Sequence, residues 1–272
     1  MFDVSIIIVN YNTKDLTLDC IDSILEEGSK LKKEIIVVDN ASSDGSVDLL
    51  HKLQKNEVIQ FIKNTENVGF AKANNQGIKI AKAQYILLLN SDTKVKKYAI
   101  EKLVSFAQKD SSIGAVGARL LNPDGTVQAS AFPLPTITRA IQQYWFGEKG
   151  LLDKYIPKGT KPVEVEVLVM AAFLITPEAI RQVGMLNEKY FMYFEDFDYC
   201  RSILNAGLKI YYLPQSEVIH YHGASGRKVS DPDNQWRRLI PSSKIYHGLV
   251  GHHLFNFILW SGQKMNKILP LS

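Results

Sequence analysis

The sequence is poor in cysteine and has no long apolar run. Its 272 residues contain two cysteines, Cys20 and Cys200, which are too few for a disulfide framework and lack metal-ligand spacing. We interpret them as buried structural thiols in a reducing compartment. No apolar run approaches the roughly 20 residues that span a bilayer. Met1 leads directly into a strand pattern, so we expect no signal peptide.

The segment after the first predicted strand contains no glycine. Residues 4–9 are a run that is aliphatic except for Ser5, and Asn10-Tyr11-Asn12-Thr13 follows it directly. A dinucleotide-dependent oxidoreductase has G-x-G-x-x-G at this point, so that class is excluded. A nucleotidyltransferase would need a glycine-rich loop with an arginine there, which argues against this second class.

Positive charge is concentrated in the tail, although the net charge is only +4. Residues 224–272 contain seven Lys or Arg and two Asp, a surplus of five positive charges, so the remaining chain carries about −1. A tail of this kind suits an anionic membrane surface, and we expect no nucleic-acid partner.

Strand and helix patterns alternate through the first 117 residues. Aliphatic runs predict strands at residues 4–9, 34–38, 58–62, 85–89 and 113–117. Amphipathic patterns predict helices that begin after a capping Thr13, near Val47, at Phe70 and at Tyr98. This alternation is typical of an α/β fold with a mixed, mainly parallel sheet flanked by helices, in which ligands bind at the carboxyl ends of the strands.

The pattern changes after residue 117. Asn122-Pro123-Asp124-Gly125 predicts a hairpin turn, and residues 133–162 predict an irregular insertion. The remaining predicted elements are a strand at residues 163–175, a short helix from Pro177, a helix that ends at Gly207, and strands at residues 209–213 and 217–221.

Two carboxylates follow predicted strands, and each has two interpretations. Asp92, in Asn90-Ser91-Asp92, is placed to hold a divalent cation against a diphosphate, or it caps the next helix. Asp39 accepts a hydrogen bond from a nucleobase, or it organises an Asx turn with Ala41.

An acidic aromatic stretch covers residues 193–200. Glu195, Asp196 and Asp198 are interleaved there with Phe and Tyr. Carboxylates among aromatic side chains are partly desolvated, which raises their pKa and makes general-base chemistry available. The stretch is therefore a candidate catalytic segment.

Two histidines, His220 and His222, end a predicted strand on one face. A histidine in this position is either a structural residue or a ligand. Because Asp92, Glu195-Asp196 and His220 each end a predicted element, they can meet at one edge of the sheet.

The combined pattern resembles the family-2 glycosyltransferases with the GT-A fold, and within them the bacterial rhamnosyltransferase branch. The resemblance covers residues 4–226 almost continuously. Its matching pieces, in family order, are SIIIVNYNT (5–13), IVVDNASSDGS (36–46), NVGFAKANNQG (67–77), LLLNSDT (87–93), GTVQAS (125–130), FMYFEDFDYC (191–200), AGLKIYYLP (206–214) and VIHYHGAS (218–225).

The resemblance implies an inverting, metal-dependent transfer of a hexose from a nucleotide sugar, with Mg²⁺ or Mn²⁺ as cofactor. It favours dTDP-rhamnose as the donor, with a UDP-sugar as the alternative. The residues that it places at the nucleotide sugar are Asn10, Tyr11, Asn12, Asp39, Lys72, Asn75, Asn90, Ser91 and Asp92. Asn90 stands where the family has the first Asp of its metal motif, which leaves a non-catalytic nucleotide-sugar-binding protein as a further alternative.

The resemblance also implies the catalytic groups. Asp196 matches the family's base, and Glu195 beside it binds the acceptor or supports the loop. Asp92 and His220 match the metal ligands, with His222 as the alternative to His220.

The resemblance implies a GT-A catalytic domain at residues 1–226, with a nucleotide-binding half at 1–117 and an acceptor half at 118–226. Residues 227–272 form a basic, amphipathic extension. Its apolar residues near helical spacing are Ile245, Leu249, His252 or His253, Asn256, Leu259 and Trp260. They pack on the domain or lie on an anionic membrane. We expect a cytoplasmic protein, with peripheral binding to the inner face of the plasma membrane and a lipid-linked glycan acceptor if the membrane interpretation holds.

Overall fold

The computed structural model describes residues 1–221 and 236–268. The strands in these residues are β1 (Val4–Asn10), β2 (Lys33–Asp39), β3 (Gln60–Lys63), β4 (Tyr85–Asn90), β5 (Thr93–Val95), β6 (Ile113–Leu121), β7 (Ala131–Phe132), β8 (Val163–Glu164), β9 (Val167–Leu168), β10 (Ala172–Ile175) and β11 (Lys209–His220). The helices are α1 (Lys14–Glu26), α2 (Ser46–Lys55), α3 (Phe70–Ile80), α4 (Ala99–Ala107), α5 (Ile137–Trp145), α6 (Pro177–Val183), α7 (Glu195–Asn205) and α8 (Trp236–Ile268).

A nine-stranded sheet runs through both predicted halves of the catalytic domain. Its order is β3-β2-β1-β4-β10-β6-β11-β5, and β8 is added against β11. The first four strands are parallel neighbours, as are β6 and β11. β10 runs antiparallel between β4 and β6, and β5 runs antiparallel to the end of β11. The predicted α/β fold with a mixed, mainly parallel sheet is confirmed.

The aliphatic runs of the sheet are buried on both faces. Ile6 and Ile8 of β1 belong to one hydrophobic cluster, and Ile7 between them belongs to the cluster on the opposite face. Helix α3 packs closely on β1, since a Cβ added at Gly77 would lie 2.6 Å from Cγ2 of Ile7. The helices therefore cover the faces and leave the carboxyl ends of the strands accessible.

Both cysteines are buried, as predicted, and neither forms a disulfide. Burial raises the pKa of the Cys20 thiol to about 12 and also raises that of Cys200. A thiol with a raised pKa is a poor nucleophile, so these residues serve the packing of the core.

Three element predictions for the second half of the chain are wrong in detail. The insertion at residues 133–162 contains helix α5, capped by the Thr136 hydroxyl. The strand predicted at residues 163–175 is divided into β8, β9 and β10. The two strands predicted at 209–213 and 217–221 are one strand, β11, because a register shift between Leu213 and Glu217 absorbs the irregular residues without ending the pairing.

Helix α8 is broken at Gly248, whose φ of 72° and ψ of 166° are not helical. We call residues 236–247 the first segment and residues 249–268 the second segment. The second segment packs on α5, where Trp145 Nε1 donates a hydrogen bond to Ser261 Oγ at 2.9 Å. The predicted packing of the extension on the domain is thus observed for the described part of the tail.

The residues that α8 buries match the sequence pattern only in part. His252 of the predicted set is buried, whereas Leu249 and Trp260 are 62% and 55% exposed, and Tyr246 and Ile258, which are outside that set, are buried. The break at Gly248 changes the phase of the helix, so one periodicity does not extend across both segments. Among the described residues, no helix is long and apolar enough to cross a membrane.

Candidate active site

A cavity of about 250 Å³ opens at the carboxyl ends of β1 and β4. The predicted site residues that line it are Tyr11, Asn90, Ser91, Asp92, Glu195, Asp196 and His220. They come from four separate parts of the chain, and the sheet and α7 bring them together. Apolar side chains, among them Phe70 and Met170, form much of the remaining wall.

Asp92 lies in the tight link between β4 and β5. Thr93 Oγ1 donates to the Asn90 carbonyl at 2.7 Å and closes this link. β5 then pairs with β11 so that Thr93 stands opposite His220, and the Tyr221 amide donates to the Asp92 carbonyl at 2.9 Å. The interpretation of Asp92 as a helix cap is wrong, because a strand follows it.

The hydrogen bonds of His220 fix which ring nitrogen carries the proton. Nδ1 of His220 lies 2.7 Å from Gln128 Oε1, and the Gln128 amide is oriented because its Nε2 donates to Asn122 Oδ1 at 2.9 Å. Nδ1 therefore donates, and Nε2 presents its lone pair. Nε2 lies 3.5 Å from Asp92 Oδ1 and 3.5 Å from Asn90 Nδ2.

The donor set of Asp92 and His220 fits a divalent cation. A carboxylate oxygen and an imidazole lone pair are both electron-rich, so a cation between them relieves their repulsion. Within residues 1–221 and 236–268, no group of three or more His, Cys, Asp or Glu is arranged as a metal cluster. A cation held here would take its other ligands from water and from phosphate oxygens, which is how Mg²⁺ is held in many phosphate-binding sites.

Asp39 and Asn10 are partners at the ends of β2 and β1. Asn10 Nδ2 donates to Asp39 Oδ2 at 2.5 Å, and the Ser42 amide donates to Asp39 Oδ1 at 2.9 Å. Asp39 is buried and does not line the cavity wall. The turn that it organises is closed at Ser42 and not at Ala41. Each carboxylate oxygen has two lone pairs, so the predicted base contact is compatible with these bonds.

Three other predicted donor-binding residues do not line the cavity. Lys72 is exposed on α3. Asn12 lies beside the Asp39 turn, where its backbone amide donates to Ser42 Oγ at 2.9 Å. The Asn75 side chain is buried and donates to the Leu186 carbonyl at 2.8 Å while it accepts from the Leu186 amide at 3.0 Å. Asn75 therefore ties α3 to the segment before α7.

Glu195 and Asp196 form the first turn of α7. Burial raises the pKa of both carboxyls, and the Asp196 charge raises that of Glu195 further. The Phe197 amide donates to Asp196 Oδ1 at 2.9 Å and, together with the Lys154 charge, limits the rise at Asp196. The Phe197 hydrogen bond and the Lys154 charge favour the ionised form of Asp196, whereas the neighbouring negative charge disfavours that of Glu195, so Asp196 is the better placed of the two to act as a base.

Asp198 has a structural partner on the same helix. Arg201 Nη2 donates to Asp198 Oδ1 at 2.6 Å. Asp198 does not line the cavity, unlike the two carboxylates that precede it. His222, the alternative ligand, lies outside the described residues.

Two residues near the site, Gln128 and Lys154, were not identified as functional candidates from the sequence. Gln128, which orients His220, lies within the matched piece at residues 125–130 but had no assigned role. Lys154 is half-buried with its Nζ 5.6 Å from the centroid of the Phe132 ring, and Phe132 packs against Phe197 at 5.0 Å. No local pattern in the insertion indicates that Lys154 approaches Asp196, because the approach depends on the tertiary fold.

Comparison with known proteins places these observations in a family. Residues 5–159 match the family model described as glycosyl transferase family 2. The low-salt glycan biosynthesis hexosyltransferase Agl10 of Haloferax volcanii is 28% identical over 223 residues, which are 80% of this chain and 67% of that protein. The dTDP-rhamnosyl transferase RfbF of Shigella flexneri is 24% identical over 227 residues, with coverage of 82% and 70%.

Solved structures share the fold at low sequence identity. GalNAc-T7, whose structure contains UDP, GalNAc and Mn²⁺, matches with a TM-score of 0.63 and 20% identity, over 81% of this chain and 44% of that chain. Residues 1–349 of S. aureus TarS match with a TM-score of 0.56 and 14% identity, over 98% of this chain and 72% of that chain.

Proposed function

The chain belongs to glycosyltransferase family 2, and we propose that it moves a hexose from a nucleotide diphosphate sugar to a glycan acceptor, with inversion at the anomeric carbon. Its membership makes it a glycosyltransferase with the GT-A fold and not a nucleotidyltransferase. The observation that carries the proposal is the cavity that Asp92 and His220 share with Glu195 and Asp196. We assign donor binding to residues 1–117 and acceptor binding with catalysis to residues 118–226.

In the proposed reaction, Asp196 takes the proton of the acceptor hydroxyl while the oxygen of that hydroxyl forms a bond to the anomeric carbon. The bond from that carbon to the diphosphate oxygen breaks on the opposite side, which inverts the centre and releases the nucleoside diphosphate. Glu195, which lines the cavity beside Asp196, would contact a hydroxyl of the acceptor sugar. Phe191 and Tyr193 in the cavity wall exclude water from the base.

Asp92 and His220 would hold the divalent cation, with Mg²⁺ or Mn²⁺ as the candidates. When bound, the cation neutralises charge on the departing diphosphate. Asn90 Nδ2 lies 3.5 Å from Nε2 of His220 and orients the imidazole ring. The Asn90 side chain is neutral, so it adds no charge to the site. Asn10, Tyr11 and Asp39 would contact the nucleobase side of the donor.

We propose dTDP-rhamnose as the donor, with a UDP-sugar as the second candidate. Two relatives are named for rhamnosyl transfer, RfbF of Shigella flexneri and the N-acetylglucosaminyl-diphospho-decaprenol L-rhamnosyltransferase of Mycobacterium tuberculosis, which is 26% identical over 208 residues. The match to the Mycobacterium tuberculosis protein covers 70% of this chain and 67% of that protein. Cell-surface polysaccharide synthesis is the process that we assign.

A thermal-shift screen of nucleotide sugars tests the donor proposal. We expect dTDP-rhamnose with Mn²⁺ or Mg²⁺ to raise the melting temperature more than dTDP-glucose, UDP-glucose or the cation by itself, because a ligand that binds the folded state stabilises it by mass action. Release of dTDP from the same donor, measured with and without Mn²⁺, separates an enzyme from a binding protein. A larger shift with a UDP-sugar would replace the donor, and no shift with any nucleotide sugar would contradict the proposal.

We also propose that the acceptor is linked to a lipid and that the second segment of α8 lies on the anionic inner face of the plasma membrane. Val250, Phe257 and Trp260 are 81%, 54% and 55% exposed on the outward side of this segment. The Lys264 ammonium lies 4.4 Å from the centroid of the Trp260 ring. From residue 236 to residue 272 the sequence contains no Asp or Glu. An aromatic, aliphatic surface with lysine and without acids is complementary to anionic headgroups.

Flotation with liposomes of phosphatidylglycerol and phosphatidylcholine tests the membrane proposal. We expect the double variant Phe257→Asp, Trp260→Asp to bind at least ~100-fold more weakly, because burying each apolar side chain contributes ~1.5–3 kcal/mol. Leu25→Asp, Ile80→Asp makes the same change at two exposed apolar residues of α1 and α3 and should bind as the wild type does. Equal flotation of the two double variants would show that α8 does not contact the membrane.

A further inference from the structure

The loop before α7 has a backbone conformation that needs external support. Tyr193 and Phe194 have φ values of 69° and 67°, in the left-handed region that residues with a Cβ adopt at a cost. These residues directly precede Glu195 and Asp196. We call residues 191–194 the catalytic loop, because the direction in which it enters α7 sets the position of both carboxylates.

One side of the catalytic loop is held by the start of α3. The Phe70 amide donates to the Phe191 carbonyl at 2.8 Å. Gly69 has φ of 86° and lies in contact with the Phe191 backbone, where a Cβ would clash. This support fixes the beginning of the loop at Phe191.

The other side of the catalytic loop is covered by the first segment of α8. The Arg238 guanidinium carbon lies 4.2 Å from the centroid of the Phe191 ring, and Ser242 Oγ donates to the Met192 carbonyl at 2.9 Å. The Tyr246 ring packs on the left-handed Phe194, with centroids 5.3 Å apart. The first segment therefore contacts three of the four loop residues, Phe191, Met192 and Phe194.

Arg201 joins the first segment of α8 to α7 itself. Its guanidinium carbon lies 3.9 Å from the centroid of the Tyr246 ring, and Nη1 donates to the Tyr246 carbonyl at 3.3 Å. Nη2 of the same guanidinium donates to Asp198 Oδ1 at 2.6 Å. Tyr246 is thus fixed against both the end of the loop and the helix that carries the carboxylates.

We infer that the first segment of α8 is part of the catalytic apparatus, and that Ser242 and Tyr246 are positioning residues that hold the catalytic loop in its left-handed conformation. The segment does not contact the reacting atoms in this arrangement. It acts through Met192 and Phe194, and it keeps Asp196 at the angle from which it can reach an acceptor hydroxyl. The inference rests on the proposed function of Asp196, since it concerns where that base is held.

The test compares Tyr246→Ala with the neighbouring variant Ile245→Ala in the full-length protein. Ile245 is 38% exposed and precedes Tyr246 directly, so it controls for the loss of a large side chain from the same helical turn. The first measurement is hydrogen–deuterium exchange of a peptide that covers residues 190–196. We expect Tyr246→Ala to exchange at least ~10-fold faster there, because the opening of an unsupported loop costs less free energy.

The second measurement is the rate of donor hydrolysis, with the donor KM determined in parallel. We expect Tyr246→Ala to lower kcat by ~10–100-fold with little change in KM, because a displacement of a catalytic group by about 1 Å costs up to ~100-fold in rate. Tyr246→Phe keeps the ring and should restore both exchange and kcat. Ser242→Ala removes one hydrogen bond and should give a smaller change in the same direction if Tyr246→Ala does not fold.

The two measurements separate this inference from the proposed function. Unchanged exchange at residues 190–196 in Tyr246→Ala and Ser242→Ala overturns the support of the loop by α8, whatever the activity. Faster exchange with an unchanged kcat overturns the positioning role. If the wild type hydrolyses no nucleotide sugar, the proposed function fails, and the exchange measurement still decides whether α8 supports the loop.

Discussion

The Asp196→Asn variant is expected to bind the nucleotide sugar as the wild type does and to lose ~10²–10⁴-fold in transfer rate, which is the usual contribution of a positioned general base. Asparagine has the shape of aspartate and keeps an acceptor for the Phe197 amide, but it does not take a proton at neutral pH. Donor binding is measured as the thermal shift with nucleotide sugar and Mn²⁺. Turnover is measured as release of the nucleoside diphosphate.

Asp19→Asn is the matched control for this variant, because it makes the same change at an exposed carboxylate of α1. It should retain the wild-type rate. Transfer by Asp196→Asn at the rate of this control would show that Asp196 is not the base. A weaker thermal shift in Asp196→Asn would instead indicate that the carboxylate contributes to donor binding.

The pH dependence follows from the direction of the pKa shift at Asp196. Burial raises this pKa, so the carboxylate loses its base form at a higher pH than an exposed Asp does as the pH falls. The acidic limb of the rate profile should therefore lie above the usual carboxylate range. Lys154 lowers the pKa of Asp196, and Lys154→Met should move the limb to higher pH. An unchanged limb in Lys154→Met would show that another group controls it.

The sheet could be predicted from the sequence because its strands have a recognisable local pattern of residues. Residues such as Ile6, Ile7 and Ile8 are aliphatic without interruption, which is the pattern of a strand buried on both faces. Because the carboxyl ends of parallel strands lie at the same edge of a sheet, the polar residues that follow these strands lie at one edge. Asp92 and His220 lie 3.5 Å apart because β5, a strand that the sequence did not predict, pairs antiparallel with the end of β11.

The support of the site could not be predicted, because it depends on contacts between irregular segments. Gln128 orients His220 from a turn whose position is set by the end of β6. Lys154 approaches Asp196 from the insertion, and Tyr246 packs on Phe194 from beyond the predicted catalytic domain. The periodicity of the tail gave only part of the buried face, because Gly248 breaks α8. Local patterns identify elements, but side-chain contacts between distant loops require the tertiary structure.

The second large effect is expected at Asp92. Asp92→Asn keeps the shape of this buried side chain but removes its negative charge, and a neutral amide oxygen is a much weaker ligand for Mg²⁺ or Mn²⁺ than a carboxylate. Neutralisation of the leaving diphosphate is worth several kcal/mol, so we expect the transfer rate to fall by at least ~10²–10³-fold. The fall should be only partly reversed by excess Mn²⁺.

Gln128→Ala provides the graded comparison for Asp92→Asn. Without the Gln128 oxygen as acceptor, the proton of His220 is no longer held on Nδ1. The loss of such an orienting hydrogen bond typically lowers metal affinity by ~10–100-fold. Raising the Mn²⁺ concentration should therefore restore the donor-dependent thermal shift and the rate fully in Gln128→Ala, but should restore the rate only partly in Asp92→Asn. The thermal shift reports on binding without any turnover, so it tests the ligand assignment independently of catalysis. If the Mn²⁺ dependence of the donor-induced shift in Asp92→Asn equals that of the wild type, the cation is held elsewhere and the assignment of Asp92 and His220 as its ligands is wrong.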